Sequence, residues 1–190
     1  KSTYPQLIGL IRKASETSFL FFVFFILGHS YFHTAWHVAR MYELQDNPDM
    51  TLDLWPRETG KSTLGTQDYT MWKTLKDPEC VTGILSYNKS LAKSHLFAIK
   101  TAFESNDLMK KIWSDVLYEK PDRESPRWSL DEGIIVKRKS VRKEGSIEAG
   151  GLIDGMPTGK HFDLVFDDIV TPGNIGTPEQ IEKTSEMFQM

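Results

Sequence analysis

The stretch LDLWPRETGKSTLGTQ, residues 52–67, decides the fold of this chain. Apolar residues over positions 51–55 predict a short strand, and GKST at positions 60–63 predicts the start of a helix. A strand that passes into a helix through such a turn presents free backbone N–H groups and the positive helix end to an anion. The stretch therefore indicates an α/β protein with an anion-binding turn.

Residues 56–63, PRETGKST, match the end of the phosphate-binding pattern G-x-x-x-x-G-K-[ST]. Trp55 stands where that pattern has its first glycine. The glycine usually serves backbone geometry, so a different loop path can replace it. Pro56 fixes its own φ and restricts Trp55 to extended geometry, which suits a strand end. We predict that Lys61 contacts the β- and γ-phosphates of a nucleotide and that the Ser62 hydroxyl binds Mg²⁺.

A second chemical signal is FDLVFDDIV, residues 162–170, in which an apolar strand over residues 163–166 ends in two acids. Acids at the carboxyl end of such a strand hold the Mg²⁺ of phosphate-loop ATPases. We predict that Asp167 is the metal partner, through its waters, and that Asp168 orients and deprotonates the attacking water. The alternative is a solvated strand end whose acids cap the next turn. The GKST earlier in the chain favours the site.

The remaining pattern predicts alternating strands and helices. Strands are expected at residues 81–87, 128–139 and 146–152, the last two facing each other across a charged turn. Helices are expected over residues 1–44, from the GKST to about residue 75, over residues 88–113 with a break at Asn106-Asp107, and after a capping box at Thr177 and Gln180. This order predicts an α/β fold with a mainly parallel sheet flanked by helices and an N-terminal helical segment.

The composition is that of an ordinary globular protein. The 190 residues are one domain's worth, and a net charge of −3 argues against a uniformly basic coat for nucleic acid. The single cysteine, Cys80, excludes an internal disulfide and is expected to be a buried spectator. The apolar run FLFFVFFIL, residues 19–27, is shorter than the roughly 20 apolar residues that span a bilayer, so we expect a buried helix and no membrane role.

Together these motifs resemble the ATPase domain of the large terminase subunit of tailed bacteriophages, a P-loop (ASCE-type) DNA-packaging motor. That family commonly dispenses with the first glycine of the loop and carries an arginine at the place of Arg57. The stretch from Ser86 to Trp128 follows the family pattern, with S-x-x-x-x-x-A-K, a long helix and ESNDLMKKIW. The glycine-rich approach GGLIDGMPTGKHFDLVFDDIV, residues 150–170, is also similar. The resemblance covers residues 52–188.

The resemblance implies ATP hydrolysis with Mg²⁺, in which Arg57 senses or polarises the γ-phosphate and the acids Asp167 and Asp168 form the Walker B element. The Walker A residues implied to contact ATP are Pro56, Arg57, Glu58, Thr59, Gly60, Lys61, Ser62 and Thr63. Two positions depart from the family pattern. Glu58 stands where glycine or glutamine is common and places a negative charge beside a polyphosphate. Asp168 stands where many relatives have the longer glutamate.

The resemblance also implies an organisation for the whole protein. Residues 1–50 would be a helical segment packed on the ATPase core, residues 51–190. Members of the family insert a later strand between the loop strand and the acidic strand and carry a nuclease domain, so we expect both beyond Met190 in a longer protein. The implied setting is the cytoplasm of an infected bacterium. There a homo-oligomeric ring would translocate double-stranded DNA into a procapsid, with the portal protein and the small terminase subunit as partners.

Two weaker patterns leave alternatives open. His29, His33 and His37 would lie along one helical face, which predicts a Zn²⁺ site, a packed aromatic surface, or a helix near the nucleotide base as in the resembling family. Basic residues crowd a predicted turn and indicate either a solvated hairpin tip or contact with DNA phosphates. These basic residues are Lys137, Arg138, Lys139, Arg142 and Lys143.

The sequence leaves two other classes of function open. One is a different P-loop NTPase, such as a helicase or a helicase loader. The other is a degenerate nucleotide-binding scaffold, which Trp55 and Glu58 make conceivable. A small-molecule kinase fits less well, because it would usually keep the first glycine and has no need of the acidic pair.

Overall fold

The computed structural model describes residues 4–46, 52–152 and 163–188. A five-stranded sheet is flanked by helices, which confirms the predicted α/β class. One buried apolar cluster includes Phe19 and Phe22 of the N-terminal region together with Ile84 and Ile147 of the sheet. The N-terminal helices and the sheet therefore share a core.

The sheet combines a parallel centre with an antiparallel hairpin. Its strands are β1 Thr82–Ser86, β2 Trp128–Ser129, β3 Gly133–Ile134, β4 Ile147–Gly151 and β5 Asp163–Phe166. The spatial order is β2-β3-β4-β1-β5, and β1 pairs in parallel with both β4 and β5. The short strands β2 and β3 form the hairpin, which joins β4 through Ile134 and Ile147. All five residues of β1 are buried, as expected for a parallel strand covered on both faces.

Nine helices lie within the described ranges, with two π-helical turns. The helices are α1 Tyr4–Thr17, α2 Phe19–Phe21, α3 Ala35–Asp46, α4 Tyr69–Lys76, α5 Lys89–Ser105, α6 Asp107–Ile112, α7 Pro121–Glu124, α8 Pro172–Ile175 and α9 Pro178–Phe188. The π-helical turns are Phe22–Ile26, after α2, and Ser62–Asp68, before α4. Helix α5 packs across β1 and β4.

The N-terminal region is not the single helix predicted over residues 1–44. Ser18 follows α1 and caps α2, because its Oγ accepts a hydrogen bond from the backbone N–H of Phe21. The chain leaves the second helical piece at Gly28, whose φ of +73° favours glycine, and crosses an irregular loop before α3. The helical prediction was therefore wrong for residues 27–34.

The apolar run 19–27 forms helical structure that is mostly buried, as predicted. Phe19, Phe22 and Val23 are fully buried, whereas Phe25 keeps 66% of its surface exposed. Ring contacts join Phe19 to Tyr69 and Trp72 of α4, which places the run against the core. Across the described ranges, no helix has the length and apolar character needed to cross a membrane.

The strand predicted over residues 51–55 is absent at residues 52–55, and Thr51 lies outside the described residues. Leu52 and Leu54 are 83% and 84% exposed, while Trp55 rests edge-on against Trp36 of α3. None of the described strand pairings includes this segment. A strand needs a hydrogen-bonded neighbour, and apolar composition alone does not supply one.

Several local predictions are confirmed. Strands β1 and β5 lie at the predicted places, and the GKST passes into helical structure that continues to Lys76. Asn106 breaks the long helix by accepting a hydrogen bond from the backbone N–H of Met109. Thr177 and Gln180 form the predicted capping box, each accepting from the other's backbone N–H.

The strand predicted over residues 128–139 is only partly present, whereas the strand predicted over residues 146–152 is confirmed as β4. Within the first range, only β2 and β3 are strands, and they pair with each other around a tight turn. The contact to β4 is a single register pair, Ile134 with Ile147. Gly133 makes the close approach possible, because its φ is +92° and a Cβ there would lie 2.6 Å from the carbonyl oxygen of Ile147.

Candidate functional site

The carboxyl ends of β1 and β5 bring the two predicted motifs together. Asp167 follows β5, and its backbone N–H donates to the carbonyl of Leu85 at 2.9 Å. The ammonium of Lys61 lies 2.9 Å from Oδ1 of Asp168 and 3.2 Å from Oδ1 of Asp167. Residues 107 positions apart in the chain therefore form one cluster of charge at this edge of the sheet.

The loop before Lys61 is a compact turn that is held by hydrogen bonds to its own backbone. The hydroxyl of Thr59 donates to the carbonyl of Pro56 at 2.7 Å, and Gly60 accepts the first helical hydrogen bond, from Leu64. Glu58 and Gly60 both have positive φ, at +64° and +76°. Alternation of such residues with ordinary ones is the backbone arrangement that points successive N–H groups at an anion.

Phe32 closes the loop from the N-terminal side. A Cβ added to Gly60 would lie 2.4 Å from Cε1 of Phe32, whose ring is only 2% exposed. Behind this ring, His37 reaches the loop, with Nε2 3.1 Å from the carbonyl oxygen of Thr59. The N-terminal region therefore supports the shape of the loop directly.

Asp167 is a buried carboxylate held in its charged form. It is 2% exposed, and burial opposes its charge, but the neighbouring side chains of His95 and Ser62 and the charge of Lys61 together lower its pKa to about 2. Burial likewise opposes the charge of Lys61, but Asp168 and Asp167 raise its pKa above the ordinary value. Asp167 and Lys61 are therefore both charged at neutral pH.

The oxygens near this cluster suit Mg²⁺. The hydroxyl of Ser62 and the carboxylate of Asp167 adjoin each other at the helix start, and both are hard oxygen donors. No group of three or more His, Cys, Asp or Glu side chains that could hold a metal occurs in the described part of the chain. In proteins Mg²⁺ is usually bound by one or two protein oxygens together with nucleotide phosphates and water molecules. Ser62 and Asp167 supply two such oxygens, so these residues fit this ion.

His95 and Gln67 belong to the site although the sequence did not identify them. His95 lies on α5 with Nε2 3.1 Å from Oδ2 of Asp167, at an angle short of a straight hydrogen bond. Its Nδ1 lies 3.2 Å from Nε2 of Gln67, in the π-helical turn after the loop. In the sequence His95 occupies one position of the apolar stripe of α5, and this position is typical of a core residue. A buried imidazole in such a stripe still needs polar partners, and this requirement could have indicated from the sequence that His95 contacts a polar site.

The three N-terminal histidines do not share a helical face. His29 and His33 lie in the loop before α3, and His37 alone is helical. Nδ1 of His29 contacts the buried Asp68 at 2.8 Å. The helical geometry that the Zn²⁺ alternative required is therefore wrong, because Gly28 ends the preceding helix before the first histidine.

The other predicted loop residues are more open. Pro56, Arg57 and Glu58 are exposed, and Ser62 and Thr63 are half-buried. Asp168 is also open, with 61% of its side chain exposed. These positions are accessible to a ligand from solvent.

The basic residues 137–143 form a turn that the protein itself organises. The carboxylate of Glu79 accepts hydrogen bonds from the backbone N–H groups of Lys139 and Ser140. The Lys137 ammonium donates to the carbonyl of Ser114, and the Arg138 guanidinium donates to carbonyls within the turn. Two of the five predicted DNA-contacting side chains are therefore engaged with the protein's own backbone.

Cys80 makes no contact with this cluster. Its thiol donates to Oδ2 of Asp163 at 2.7 Å, at the opposite end of β5. Burial and the neighbouring Asp163 carboxylate raise the pKa of this thiol to about 12. A thiol that does not ionise is a poor nucleophile, in keeping with the spectator role that we predicted.

No protein-family model matches the chain, and a comparison with curated proteins found no significant match.

Proposed function

We propose that this chain is the ATP-hydrolysing core of a DNA-packaging motor of the terminase large-subunit type. The observation that carries the proposal is the contact of Lys61 with Asp167 and Asp168 at the end of β5. A lysine at a loop-to-helix junction facing an acidic strand end is the shared design of P-loop ATPases. The narrower assignment is supported by the variant loop with Arg57 and by the motif combination over residues 52–188.

The loop would hold the triphosphate through its backbone. The chain turns at Glu58 and Gly60, so the backbone N–H groups at the start of the following helix would be free to bind phosphate oxygens. Lys61 would exchange its two carboxylate contacts for the β- and γ-phosphates, so the ion cluster keeps the lysine extended towards the ligand. Arg57, exposed on the same loop, would meet the γ-phosphate.

Ser62 and Asp167 would hold Mg²⁺, the first directly and the second through waters. The ion would supply charge neutralisation on the β- and γ-phosphates. Asp167 keeps its charge because its pKa is low, and its burial prevents it from swinging into solvent.

Asp168 would act as the general base. Its carboxylate is solvent-accessible and lies beside Lys61, where the γ-phosphate would be. A water held by this carboxylate would give up a proton to it while the water oxygen attacks phosphorus, and ADP would leave from the opposite side. The proton of the water would thus go to Asp168, its oxygen to the released phosphate, and ADP would be the leaving group.

The open edge of the sheet also supports the proposal. Among the described strands, β5 pairs only with β1, and Leu164 and Phe166 of β5 remain 46% and 42% exposed. In the resembling family another strand lies on the far side of the acidic strand, between it and the loop strand. The same arrangement here would cover the two apolar side chains and explain why residues 52–55 have no neighbour in the sheet.

The experiment compares ATP binding and hydrolysis, with and without duplex DNA, in the parent protein and in Lys61→Ala and Asp167→Ala. We expect each change to lower hydrolysis by at least about 10²-fold, as removal of a main electrostatic stabiliser does. Lys13→Ala, on the exposed face of α1, is the matched control and should leave hydrolysis unchanged. Circular dichroism checks that the variants fold.

The outcomes separate the competing functions. Hydrolysis that survives Lys61→Ala at the parental rate contradicts the site. Hydrolysis that depends on Lys61 but does not respond to duplex DNA favours another P-loop NTPase. A parent protein that binds nucleotide without hydrolysing it, with or without duplex DNA, favours the degenerate nucleotide-binding scaffold.

A further inference from the structure

A buried histidine connects the two halves of the candidate ATP site. His95 is 5% exposed and lies on α5, an element that belongs to neither the phosphate loop nor the acidic strand. One ring nitrogen faces Asp167 at 3.1 Å, and the other faces Gln67 at 3.2 Å. Both Nε2 of His95 and Oδ2 of Asp167 are buried without a hydrogen-bond partner among the described residues, and their 3.1 Å approach does not have hydrogen-bond geometry.

The arrangement of Gln67 assigns the tautomer of the ring. With its amide oriented as in the structure, Nε2 of Gln67 can only donate, so Nδ1 of His95 accepts. The ring proton then lies on Nε2, on the side of Asp167. His95 therefore presents a donor to Oδ2 of that carboxylate, while Oδ1 faces Lys61 at 3.2 Å.

We propose that His95, oriented by Gln67, is a positioning residue that fixes the carboxylate of Asp167 for the Mg²⁺-nucleotide complex. This inference rests on the proposed ATPase function. Carboxylates that hold a metal are themselves hydrogen-bonded in most proteins, and losing such a partner typically weakens metal binding. Here the partner, His95, comes from α5. The helix that follows β1 therefore sets the side-chain orientation of Asp167, the residue that follows β5.

The location of the histidine argues against a purely apolar core role. Its neighbours along the buried face of α5 are Ala92, Leu96 and Ile99, all fully buried and apolar. An apolar side chain at position 95 would complete that stripe without cost to packing. It would, however, remove the ring N–H that faces the buried Oδ2 of Asp167, which is unfavourable for a charged group.

The test measures nucleotide affinity with Mg²⁺ and with EDTA, using a fluorescent ATP analogue. His95→Leu removes the donor at similar volume, and His95→Gln keeps an N–H donor near the place of Nε2. We expect His95→Leu to lower the gain in affinity that Mg²⁺ provides by about 10-fold, with a change of less than about threefold in EDTA. His95→Gln should restore most of that gain, and Gln67→Leu should show a smaller loss of the same kind.

Ile99→Val is the matched control, since it changes the same buried face of α5 without touching the site. It should lower the urea concentration at the midpoint of unfolding and leave the Mg²⁺ gain unchanged. An unchanged Mg²⁺ gain in His95→Leu, or equal losses with and without Mg²⁺, would overturn the inference and leave the ATP site standing. A parent protein without Mg²⁺-dependent nucleotide binding would remove both the proposed function and the inference.

A second readout needs no nucleotide. Nitrogen-15 NMR of the histidine rings, at one mildly alkaline pH, distinguishes a proton on Nε2 from one on Nδ1. The signal of His95 is identified by its loss in His95→Gln. We expect the Nε2–H tautomer in the parent protein, and Gln67→Leu should let the Nδ1–H tautomer appear. An Nδ1–H ring in the parent protein contradicts the donor role, even if His95→Leu does not fold.

Discussion

At the scale of single residues, two side chains near Lys61 stand on backbone of unusual conformation. Within the described ranges, Glu58 and Asp168 are the residues other than glycine with positive φ, at +64° and +48°. Glutamate rarely adopts positive φ, because its Cβ crowds the backbone in that conformation. Strained backbone of this kind is concentrated at functional sites, and here one instance lies on each side of Lys61.

Asp168→Asn tests the proposed base at this scale. Asparagine tolerates positive φ, so the backbone at position 168 should persist and only the basicity is lost. We expect ATP affinity to stay within about twofold of the parent protein and single-turnover hydrolysis to fall by about 10²-fold or more. If affinity for Mg²⁺-ATP collapses instead, Asp168 is the metal partner and the roles of the two acids are exchanged.

At the scale of elements, the N-terminal region is attached to the π-helical turn that begins at Ser62 by polar contacts as well as by the core. His29, in the loop before α3, contacts Asp68 at the end of the π-helical turn that begins at Ser62. Burial raises the pKa of Asp68 to about 6, while the hydrogen bond and charge of His29 act to lower it. Burial and the charge of Asp68 raise the pKa of the neighbouring Tyr31 hydroxyl.

Asp68 should make stability fall as the pH rises. The folded protein holds its proton more tightly than the unfolded chain, whose aspartate has a pKa of 3.8. Its contribution is therefore fully present below about pH 4 and is lost as the pH rises through about 6. Between about pH 4 and pH 7 we expect the parent protein to lose on the order of 2–3 kcal/mol relative to Asp68→Asn in urea unfolding. A difference between the two proteins that stays constant with pH contradicts this prediction.

The start of α5 depends on a glycine at the end of β4. A Cβ added to Gly151 would lie 2.3 Å from the backbone nitrogen of Lys89 and 2.6 Å from the carbonyl carbon of Asn88. Asn88 caps the helix by accepting from the backbone N–H of Leu91. The strand therefore passes directly against the helix start, and only glycine leaves room for it.

Gly151→Ala should destabilise the fold by about 1–3 kcal/mol, because backbone atoms must move to relieve the overlap. Gly9→Ala is the matched control, since a Cβ there meets nothing within 4 Å on a helix. That change should stabilise the protein by about 0.5–1 kcal/mol. Thermal unfolding of both variants gives the comparison, and a Gly151→Ala protein as stable as its parent would mean that β4 and α5 are not in close contact.

At the scale of the whole molecule, DNA binding needs a local basic surface because the net charge is −3. The turn at residues 137–143 provides one, and Glu79 holds its backbone from outside the turn. Since the side chains of Lys137 and Arg138 donate to carbonyls, the exposed Lys139 and Lys143 are the better candidates for phosphate contact.

Lys139→Gln with Lys143→Gln should weaken binding to duplex DNA of any sequence. The slope of log affinity against log salt should flatten by about 0.9 for each DNA phosphate that the variant no longer neutralises. ATP hydrolysis without DNA should not change. The control is Lys13→Gln with Lys111→Gln, which removes the same charge from α1 and α6. Equal affinity and equal slope in both double variants would place the DNA contact elsewhere.

The amino-acid sequence by itself determined the features that depend on neighbours in the chain. The helical start at the GKST, the acidic end of β5, the break at Asn106 and the capping box at Thr177 were all predicted from local patterns. Each of these is formed by a side chain acting on its own backbone, or by an apolar period that one element completes alone. Such interactions need no knowledge of what lies across the fold.

The tertiary structure alone decided which partners those features have. Residues 52–55 look like a strand in sequence but have no neighbour in the sheet, and the helix predicted over residues 1–44 ends at Gly28. The contact of His95 with Asp167 joins residues 72 positions apart, and no local pattern contains it. Strand pairing and the satisfaction of buried polar atoms are long-range conditions. They are met only when the whole chain has folded around them.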